Sequence, residues 1–375
     1  MSRRANTGAA GRAADAVDQA WMAEALRLAA SGTGATYPNP SVGALVVKRG
    51  RVLGKARSDV TGGPHAEVRA LREAGKAARG STLYVSLEPC NHRGRTPPCV
   101  DAILDAGVAR VVVAIEDPAP HVAGAGIARL RRAGVEVRVG VLGERGLEVH
   151  RHYLHHVRGG RPFVTLKLAT SLDGRVATAS GDSKWITGEP ARRSAHRLRA
   201  IHHGIAVGAA TVLADDPRLD VRLARGVDPL PFVFDPRLRV AAAGRPFALL
   251  RPGVVYLHTA AASQRARRAL AQSGAEGLEL PDDGRGGLDI AAAVAALGAR
   301  ELRSLMVEGG GRLVGAFVAA RCWEQLWLYQ APLLLGDGRP AIAGASWASV
   351  ADAPRLRLIR RRSLGVDLLS VLEPE

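Results

Sequence analysis

The sequence contains only three cysteines in 375 residues, and it has no apolar run of the ~18 residues that a membrane-spanning helix needs. So few cysteines cannot form a disulfide framework in so long a chain, which favours a reducing compartment. The N-terminal residues also lack the apolar core of a secretory signal. We therefore expect a cytoplasmic protein that has no membrane partner.

Acidic residues are in the minority, with 35 Asp and Glu against 52 Lys and Arg, for a formal net charge of +17. Residues 1–158 carry 23 basic and 14 acidic side chains (+9), and residues 159–375 carry 29 and 21 (+8). Because the excess is even and forms no basic block or tail, we expect no nucleic-acid partner. An even positive charge instead favours a small phosphorylated substrate.

Segments with helical and strand periodicity alternate along the chain, which predicts α/β architecture in both halves and a three-layer first domain. At roughly 150 residues per domain, the length predicts two domains. A polar stretch at residues 148–161 marks the boundary. We expect a disordered lead-in over residues 1–14, a first domain over 15–158 and a second domain over 159–375.

Four histidines, at positions 150, 152, 155 and 156, lie in that polar stretch. Only His152 and His156 share a helical face, and neither has an acidic or thiol partner nearby in the sequence. We therefore interpret the group as a solvated helix end and not as a metal site.

The first chemical signal is the pattern HAE, then PC, then a further cysteine, which places His65, Glu67, Cys90 and Cys99 in order. One histidine and two thiolates are a typical zinc ligand set that leaves a fourth position for water. Zinc deaminases use such a centre to activate water, and a glutamate that is not a ligand carries the protons. The pattern predicts one zinc ion held by His65, Cys90 and Cys99, with Glu67 as the catalytic residue.

The spacing of the two cysteines is unusual, because eight residues, Asn91 to Pro98, separate them where the general deaminase pattern has two. Taken alone, a histidine and two cysteines so far apart are also compatible with buried packing residues. Their joint occurrence where strands give way to helices favours the zinc site.

The segments PNPSVGALVV, PHAEVRAL and SLEPCNHRGRTPPC closely resemble the deaminase half of the RibD family, the bifunctional enzymes of riboflavin biosynthesis. In that family the long loop between the cysteines is characteristic, and this half acts on a diaminopyrimidine that carries ribose 5-phosphate. The resemblance implies a cytidine-deaminase-like fold. It also implies substrate contacts for Asn39, His92, Arg93, Arg95 and Thr96.

One position departs from the family pattern. Ser58 stands seven residues before His65, where relatives usually have a histidine. The departure concerns one substrate contact and leaves the predicted zinc ligands unchanged.

The second half lacks a G-x-G-x-x-G sequence after a strand, so a classical dinucleotide fold is not predicted. The segment from Leu305 to Gly311 nevertheless indicates a strand, a glycine turn and the start of a helix, where backbone N–H groups can hold a phosphate. A glycine turn with only a packing role remains an equal alternative at this stage.

Four segments, at residues 167–175, 183–187, 211–217 and 307–311, resemble the reductase half of the same family. The resemblance implies a dihydrofolate-reductase-like α/β domain that uses NADPH, and it extends from Asp15 to the C-terminus. Residues 222–300 carry no family motif, although their pattern predicts two strands, at 231–234 and 254–257, and two helices, at 263–272 and 288–297.

The same resemblance assigns two sets of contacts in the second half. The expected NADPH contacts are Ala169, Trp185, Thr211, Asp215, Gly310, Gly311, Arg312, Leu313, Val314, Gly315 and Ala316. The expected substrate contacts are Lys167, Asp173, Ser183, Arg199, Leu219, Arg222 and Glu308. Lys167 stands in an apolar strand, where a lysine needs a reason, and arginines suit a phosphate because their planar fork binds it bidentately.

The family implies hydrolytic deamination of 2,5-diamino-6-ribosylamino-4(3H)-pyrimidinone 5′-phosphate, followed by NADPH-dependent reduction to 5-amino-6-ribitylaminouracil 5′-phosphate. It also implies a homo-oligomer. The alternative is a zinc-dependent nucleoside or nucleic-acid deaminase with an accessory C-terminal domain. That alternative predicts two residues between the cysteines and no reductase half. A second alternative is a scaffold or binding module that has lost catalysis. It predicts that Glu67 or a zinc ligand is missing, and all four residues are present.

Overall fold

The computed structural model describes residues 9–94, 96–120 and 122–375. The chain divides into two compact units between Gly159 and Gly160, one residue after the expected boundary. Residues 1–8 of the expected disordered lead-in lie outside the described residues, but the rest of it is helical from Ala9. This part of the prediction was wrong because four of the six residues from 9 to 14 are alanine, the strongest helix former.

The first unit contains six α-helices and five strands within the described residues. In chain order they are α1 (Ala9–Gly32), β1 (Gly43–Lys48), β2 (Arg51–Arg57), α2 (Ala66–Ala74), β3 (Thr82–Val85), α3 (Cys99–Asp105), β4 (Arg110–Val113), α4 (Ala125–Arg132), β5 (Glu136–Val139), α5 (Gly143–Val149) and α6 (Arg151–Gly159). A short 3₁₀ helix, Gly75–Ala78, follows α2.

The strands of the first unit form one sheet in the order β2-β1-β3-β4-β5, in which β3, β4 and β5 are parallel. Side chains alternate across it, so that Val46 packs with helices α2, α3 and α4 on one face. Leu45 packs with Met22 of α1 on the other face. The sheet is therefore covered on both sides, which confirms the predicted three-layer α/β architecture.

The second unit contains six helices and eleven strands among the residues described. They are β6 (Phe163–Thr170), β7 (Arg175–Ala177), α7 (Glu189–Ala200), β8 (Gly204–Gly208), α8 (Ala209–Asp215), β9 (Leu230–Phe234), α9 (Arg239–Ala242), β10 (Val255–His258), α10 (Gln264–Ser273), β11 (Glu276–Glu279), α11 (Ile290–Ala299), β12 (Ser304–Val307), α12 (Gly311–Ala319), β13 (Gln325–Gln330), β14 (Arg339–Pro340), β15 (Leu356–Leu364) and β16 (Asp367–Pro374).

Nine of these strands form a sheet in the order β11-β10-β9-β8-β12-β6-β13-β16-β15. The first seven strands in this order, which begin with β11 and end with β13, are parallel to one another. The last two, β16 and β15, each run antiparallel to the strand before them. In parallel sheets, ligands bind beyond the carboxyl ends of the strands. The order therefore places the ends of β8, β12 and β6 side by side at the centre of the sheet. No described helix is both long enough and apolar enough to span a membrane.

The histidines at the end of the first unit are not a solvated helix end, so that interpretation was wrong. His150 is 3% exposed, and its Nε2 lies 3.1 Å from Ser86 Oγ. His152 is also buried, and its Nδ1 lies 2.8 Å from Tyr37 Oη. The turn between α5 and α6 directs both rings into the domain, which a polar local sequence does not indicate.

Burial lowers the pKa of His150 from 6.5 to about 4. Between these values the unfolded chain binds a proton that the folded domain excludes, so stability falls as pH decreases from 6.5 to 4 and is unaffected by this group above 6.5. We expect a loss of up to about 3 kcal/mol from His150 across this range. Urea unfolding at a series of pH values should show a flatter profile for His150→Gln. The control is His92→Gln at an exposed position, which should keep the wild-type pH profile. If His150→Gln also keeps the wild-type pH profile, the assignment is contradicted.

Candidate active sites

Three side chains of the first unit converge at one point. The Nδ1 of His65 lies 3.1 Å from Cys99 Sγ and 3.5 Å from Cys90 Sγ. The three potential ligand atoms all lie within 4.8 Å of one another. A tetrahedral zinc ion places a nitrogen ligand and a sulfur ligand ~3.5 Å apart. The donor set and its spacing therefore fit zinc.

Two of the potential ligands lie at the start of a helix, and the third lies in the loop between β3 and α3. His65 is the N-cap of α2, with extended backbone angles, and Cys99 is the first residue of α3 after Pro98. Cys90 follows β3, and its carbonyl accepts a hydrogen bond from Val100 N at 3.3 Å. The backbone N–H of Cys99 points at Cys90 Sγ, 3.3 Å away. The starts of two helices thus meet at the metal site, where their dipoles favour thiolate charge.

Glu67 lies in the first turn of α2, two residues after His65, and is 3% exposed. Its Oε2 is buried without a hydrogen-bond partner among the described residues. A buried carboxylate oxygen without a partner is costly in a folded protein. Glu67 therefore presents this oxygen, with no partner in the described part of the chain, beside the cluster of potential zinc ligands.

The protonation states of the site follow from burial and mutual hydrogen bonds. Burial, and then the neighbouring Cys90 thiolate, raise the pKa of Glu67 to about 7. Hydrogen bonds from Cys99 and His65 lower the pKa of Cys90 to about 4, whereas the Cys90 sulfur and burial raise the pKa of Cys99. Zinc binding must therefore displace a proton from Cys99.

The second unit has a central ion cluster at the carboxyl ends of its parallel strands. Glu308 follows β12 directly, and its carboxylate binds Lys167 Nζ of β6 at 3.0 Å and Arg199 Nε of α7 at 2.8 Å. Arg199 also donates to the carbonyl oxygen of Asp220 at 2.8 Å. The exposed side-chain fractions of Lys167, Glu308 and Arg199 are 14%, 16% and 10%.

Burial of Glu308 favours its protonated form, but Lys167 and Arg199 outweigh this effect and hold the pKa of Glu308 far below its usual range. Glu308 is therefore ionised at neutral pH, and the cluster carries a net positive charge. A positively charged cluster at a sheet end favours an anionic ligand, and it presents fixed hydrogen-bond donors and acceptors.

Comparison with known proteins identifies both units. The family model for the cytidine and deoxycytidylate deaminase zinc-binding region matches residues 15–115, and the model for the RibD C-terminal domain matches residues 162–370. The riboflavin biosynthesis protein RibD of Escherichia coli is 40% identical over 365 residues, which cover 94% of this chain and 98% of that protein. The chain belongs to the RibD family.

Solved structures agree with this membership. RibD of Acinetobacter baumannii, form 1, matches with a TM-score of 0.85 at 37% identity, covering 96% of this chain and 99% of that one. A diaminohydroxyphosphoribosylaminopyrimidine deaminase/5-amino-6-(5-phosphoribosylamino)uracil reductase of Thermotoga maritima matches with a TM-score of 0.85 at 32% identity, covering 96% and 100%. These matches confirm the predicted RibD family, the α/β class, the zinc and NADPH cofactors, and a bifunctional deaminase and reductase of riboflavin biosynthesis.

The RibD resemblance assigned five substrate contacts to the first unit, and the structure brings one of them to the ligand cluster. Thr96 Oγ1 lies 3.4 Å from His65 Nε2. His92 and Arg93 are exposed on the loop between the cysteines, and Arg95 lies outside the described residues. Asn39 is exposed and lines a small surface cavity with Tyr37 and His152.

Ser58, where the family resemblance leads us to expect a histidine, forms hydrogen bonds with Val42, the residue just before β1. Its Oγ accepts a hydrogen bond from Val42 N at 3.0 Å, and its own N–H donates to Val42 O at 2.8 Å. The serine thus fixes the chain just before β1 and just after β2. The Ser58 hydroxyl therefore serves as a hydrogen-bond acceptor for the backbone next to β1.

The expected NADPH contacts fall into an accessible and a buried set. Trp185 is 65% exposed, and the guanidinium of Arg192 lies over its ring at 4.6 Å. Thr211 in α8 lies beside Gly310, the N-cap of α12. A Cβ on Gly311 would lie 2.2 Å from the carbonyl oxygen of Pro340, so this glycine permits close packing of the chain.

The remaining residues of the glycine segment differ in exposure. Val314 is fully buried in the core and Gly315 is also buried, whereas Gly310 and Arg312 are exposed. Leu313 and Ala316 are half-buried, as is Ala169 on β6, and Asp215 is exposed at the end of α8. The glycine turn therefore packs closely against the chain at Gly311 and leaves the start of α12 exposed at Gly310. Phosphate binding by this turn stays a prediction.

Four other expected substrate contacts lie in different surroundings. Asp173 is exposed and accepts hydrogen bonds from Leu335 N and Gly336 N. Ser183 is half-buried, and Leu219 is buried with a positive φ of 59°. Arg222 is half-exposed and binds the Asp220 carboxylate at 2.6 Å.

Two residues that the motifs did not indicate belong to this cluster. Asp220 binds Arg199 through its carbonyl and Arg222 through its carboxylate, which links the two arginines. His196, one turn before Arg199 on α7, is 4% exposed, and its Nδ1 lacks a partner among the described residues. Burial and the Arg199 charge lower the pKa of His196 to about 4, so it is neutral. The sequence signal for His196 is its position three residues before Arg199, which places both side chains on the same face of a helix.

Proposed function

We propose that the first unit hydrolytically deaminates 2,5-diamino-6-ribosylamino-4(3H)-pyrimidinone 5′-phosphate. The observation that carries this proposal is the buried Glu67 carboxylate beside the His65, Cys90 and Cys99 cluster, whose Oε2 has no hydrogen-bond partner among the described residues. This arrangement suits replacement of a ring amino group by oxygen, with release of ammonia. The Thermotoga maritima relative carries a deaminase name with this type of substrate.

His65, Cys90 and Cys99 would hold the zinc ion. When bound, zinc would lower the pKa of a water molecule so that a hydroxide nucleophile is available at neutral pH. Glu67 would accept a proton from the attacking water at Oε2, pass it to a ring nitrogen and assist departure of the amine as ammonia. Thr96, next to His65, lies where it contacts the substrate or orients the imidazole.

We further propose that the second unit reduces the deaminated product to 5-amino-6-ribitylaminouracil 5′-phosphate. When bound, NADPH would supply a hydride to C1 of the ribosyl group, while the bond from C1 to the ring oxygen breaks and that oxygen takes a proton, which opens the sugar to a ribityl chain. The chain's own contribution is alignment: Lys167 and Glu308 would bind ribose hydroxyls, and Arg222 would bind the phosphate. Trp185, Thr211 and the exposed start of α12 would hold the cofactor.

A coupled assay on zinc-loaded protein, given the diaminopyrimidine ribotide with or without NADPH, tests both proposals. We expect ammonia release in both cases and NADPH oxidation only after deamination. Ammonia without NADPH oxidation would contradict the proposed reductase substrate. If neither signal appears and RNA is deaminated instead, the alternative of a nucleic-acid deaminase would replace this proposal.

Arg222 offers a direct test of the proposed phosphate contact. Arg199 donates from Nε to Glu308 and from Nη1 to Asp220. Arg222 is half-exposed and forms an ion pair with the Asp220 carboxylate. Because charge-assisted bonds to phosphate are strong, we expect Arg222→Gln to raise the KM for the ribotide about tenfold, equivalent to ~1.4 kcal/mol. The KM for NADPH should stay unchanged. Arg225→Gln, at an exposed arginine nearby, is the control, and equal KM values in the two variants would contradict the role.

We also propose that the protein is a cytoplasmic homo-oligomer. Cys90 and Cys99 bind metal only as reduced thiols, which a reducing compartment maintains. Sedimentation velocity should give a mass of at least twice the 39.4 kDa of one chain, which tests the oligomer. Cell fractionation should recover the protein with soluble cytoplasmic enzymes, which tests the compartment. A monomer at micromolar concentration would contradict the oligomer.

A further inference from the structure

Helix α4 contacts the chain on both sides of the zinc ligand Cys90. The Cβ of an alanine at position 126 would lie 2.1 Å from Pro89 O, so only glycine allows the first turn of α4 to rest on the peptide before Cys90. Arg129, later in the same helix, donates from Nη1 to Asn91 Oδ1 at 2.9 Å. The same arginine binds Asp101 at 2.7 Å, two residues after Cys99.

Glu88 forms the core of this contact. Its side chain is buried, and the carboxylate accepts four backbone N–H groups. Oε2 accepts from Asp117 N at 3.2 Å and from Gly124 N at 3.0 Å. Oε1 accepts from Gly126 N at 3.0 Å and from Ile127 N at 3.3 Å.

These bonds supply a cap that α4 lacks from its own sequence. Its N-cap, Gly124, has no side chain and adopts a left-handed conformation. A carboxylate at a helix N-terminus satisfies free N–H groups and interacts favourably with the helix dipole. Because Glu88 stands two residues before Cys90, capping α4 also fixes the direction in which the chain enters the zinc site.

We propose that Glu88 is a positioning residue for the Cys90 ligand, and that it and Arg129 hold the two thiolate-bearing segments on α4. This inference rests on the zinc site of the proposed function. A ligand whose supporting contacts are lost binds metal about 10- to 100-fold more weakly. Glu88 therefore controls zinc affinity without touching zinc or substrate.

The test compares Glu88→Gln with Glu73→Gln. In Glu88→Gln an amide N–H₂ group, which can only donate, would face backbone N–H groups that also donate, so at least one pair of hydrogen bonds is lost. Glu73 is a matched control because its carboxylate also accepts a backbone N–H, from Lys55 at 3.0 Å, away from the ligands. Zinc affinity is measured by chelator competition, at a temperature where circular dichroism shows each metal-free variant to be folded. Cobalt in place of zinc reports the thiolate geometry by its absorption spectrum.

We expect Glu88→Gln to weaken zinc binding at least about tenfold and to shift the cobalt–thiolate absorption, while Glu73→Gln matches the wild type. In zinc-saturated protein, kcat for deamination should fall more than KM changes. Wild-type zinc affinity and an unshifted cobalt spectrum in Glu88→Gln would overturn the proposal. A wild-type protein that binds zinc but releases no ammonia would instead contradict the proposed function.

If Glu88→Gln does not fold, Arg129→Gln carries the test, because Arg129 is partly exposed. Arg132→Gln on the same helix is its control. A several-fold loss of zinc affinity confined to Arg129→Gln supports the proposal, and equal affinities in the two variants overturn it.

Discussion

Replacing Glu67 with glutamine is expected to lower kcat for ammonia release at least about 100-fold, because general acid–base catalysis contributes about 10²–10⁴. The variant keeps the volume of a side chain that is 3% exposed, so the domain should fold. The zinc content should be unchanged because Glu67 is not one of the three ligands. The measurement is ammonia release by metal-loaded protein, with zinc determined in the same sample.

Glu73→Gln on the same helix should retain wild-type deamination. NADPH oxidation by Glu67→Gln, supplied with already deaminated substrate, should also equal that of the wild type, because the second unit has its own site. Appreciable ammonia release by Glu67→Gln with full zinc occupancy would show that another group carries the proton.

Replacing Glu308 with glutamine is expected to destabilise the second unit by about 3 kcal/mol, because removing one partner of a buried ion pair leaves uncompensated charge. Here two cations, Lys167 and Arg199, would remain side by side with exposed fractions of 14% and 10%. The reductase rate should fall at least about tenfold, since a misplaced substrate group loses alignment with the hydride. Urea unfolding and NADPH oxidation measure the two effects.

Glu276→Gln is the matched control, because Glu276 forms an exposed ion pair with Arg300 at 2.7 Å in the same unit. An exposed pair contributes at most about 1 kcal/mol. Equal unfolding free energies for the two variants would mean that the Glu308 cluster does not stabilise the fold. A normal reductase rate in Glu308→Gln would remove Glu308 from the proposed substrate site.

Regular segments were predictable where local pattern and burial agree. Residues 222–300 carry no family motif, yet the predicted strands at 231–234 and 254–257 correspond to β9 and β10. The predicted helices at 263–272 and 288–297 correspond to α10 and α11. By contrast, β15 is almost wholly exposed and includes Arg360, Arg361 and Arg362, so its sequence lacks the apolar alternation that identifies a strand.

The sequence by itself determined the family and the zinc and NADPH cofactors, because their motifs are short and local. It also predicted His65, Cys90 and Cys99 as ligands and Glu67 as the proton carrier, from the same short motifs. Only the tertiary structure decided which distant groups meet. Glu308 joins Lys167 and Arg199 across 141 and 109 residues, and Glu88 caps a helix 36 to 39 residues later. Such contacts depend on strand order and burial, and local periodicity contains neither.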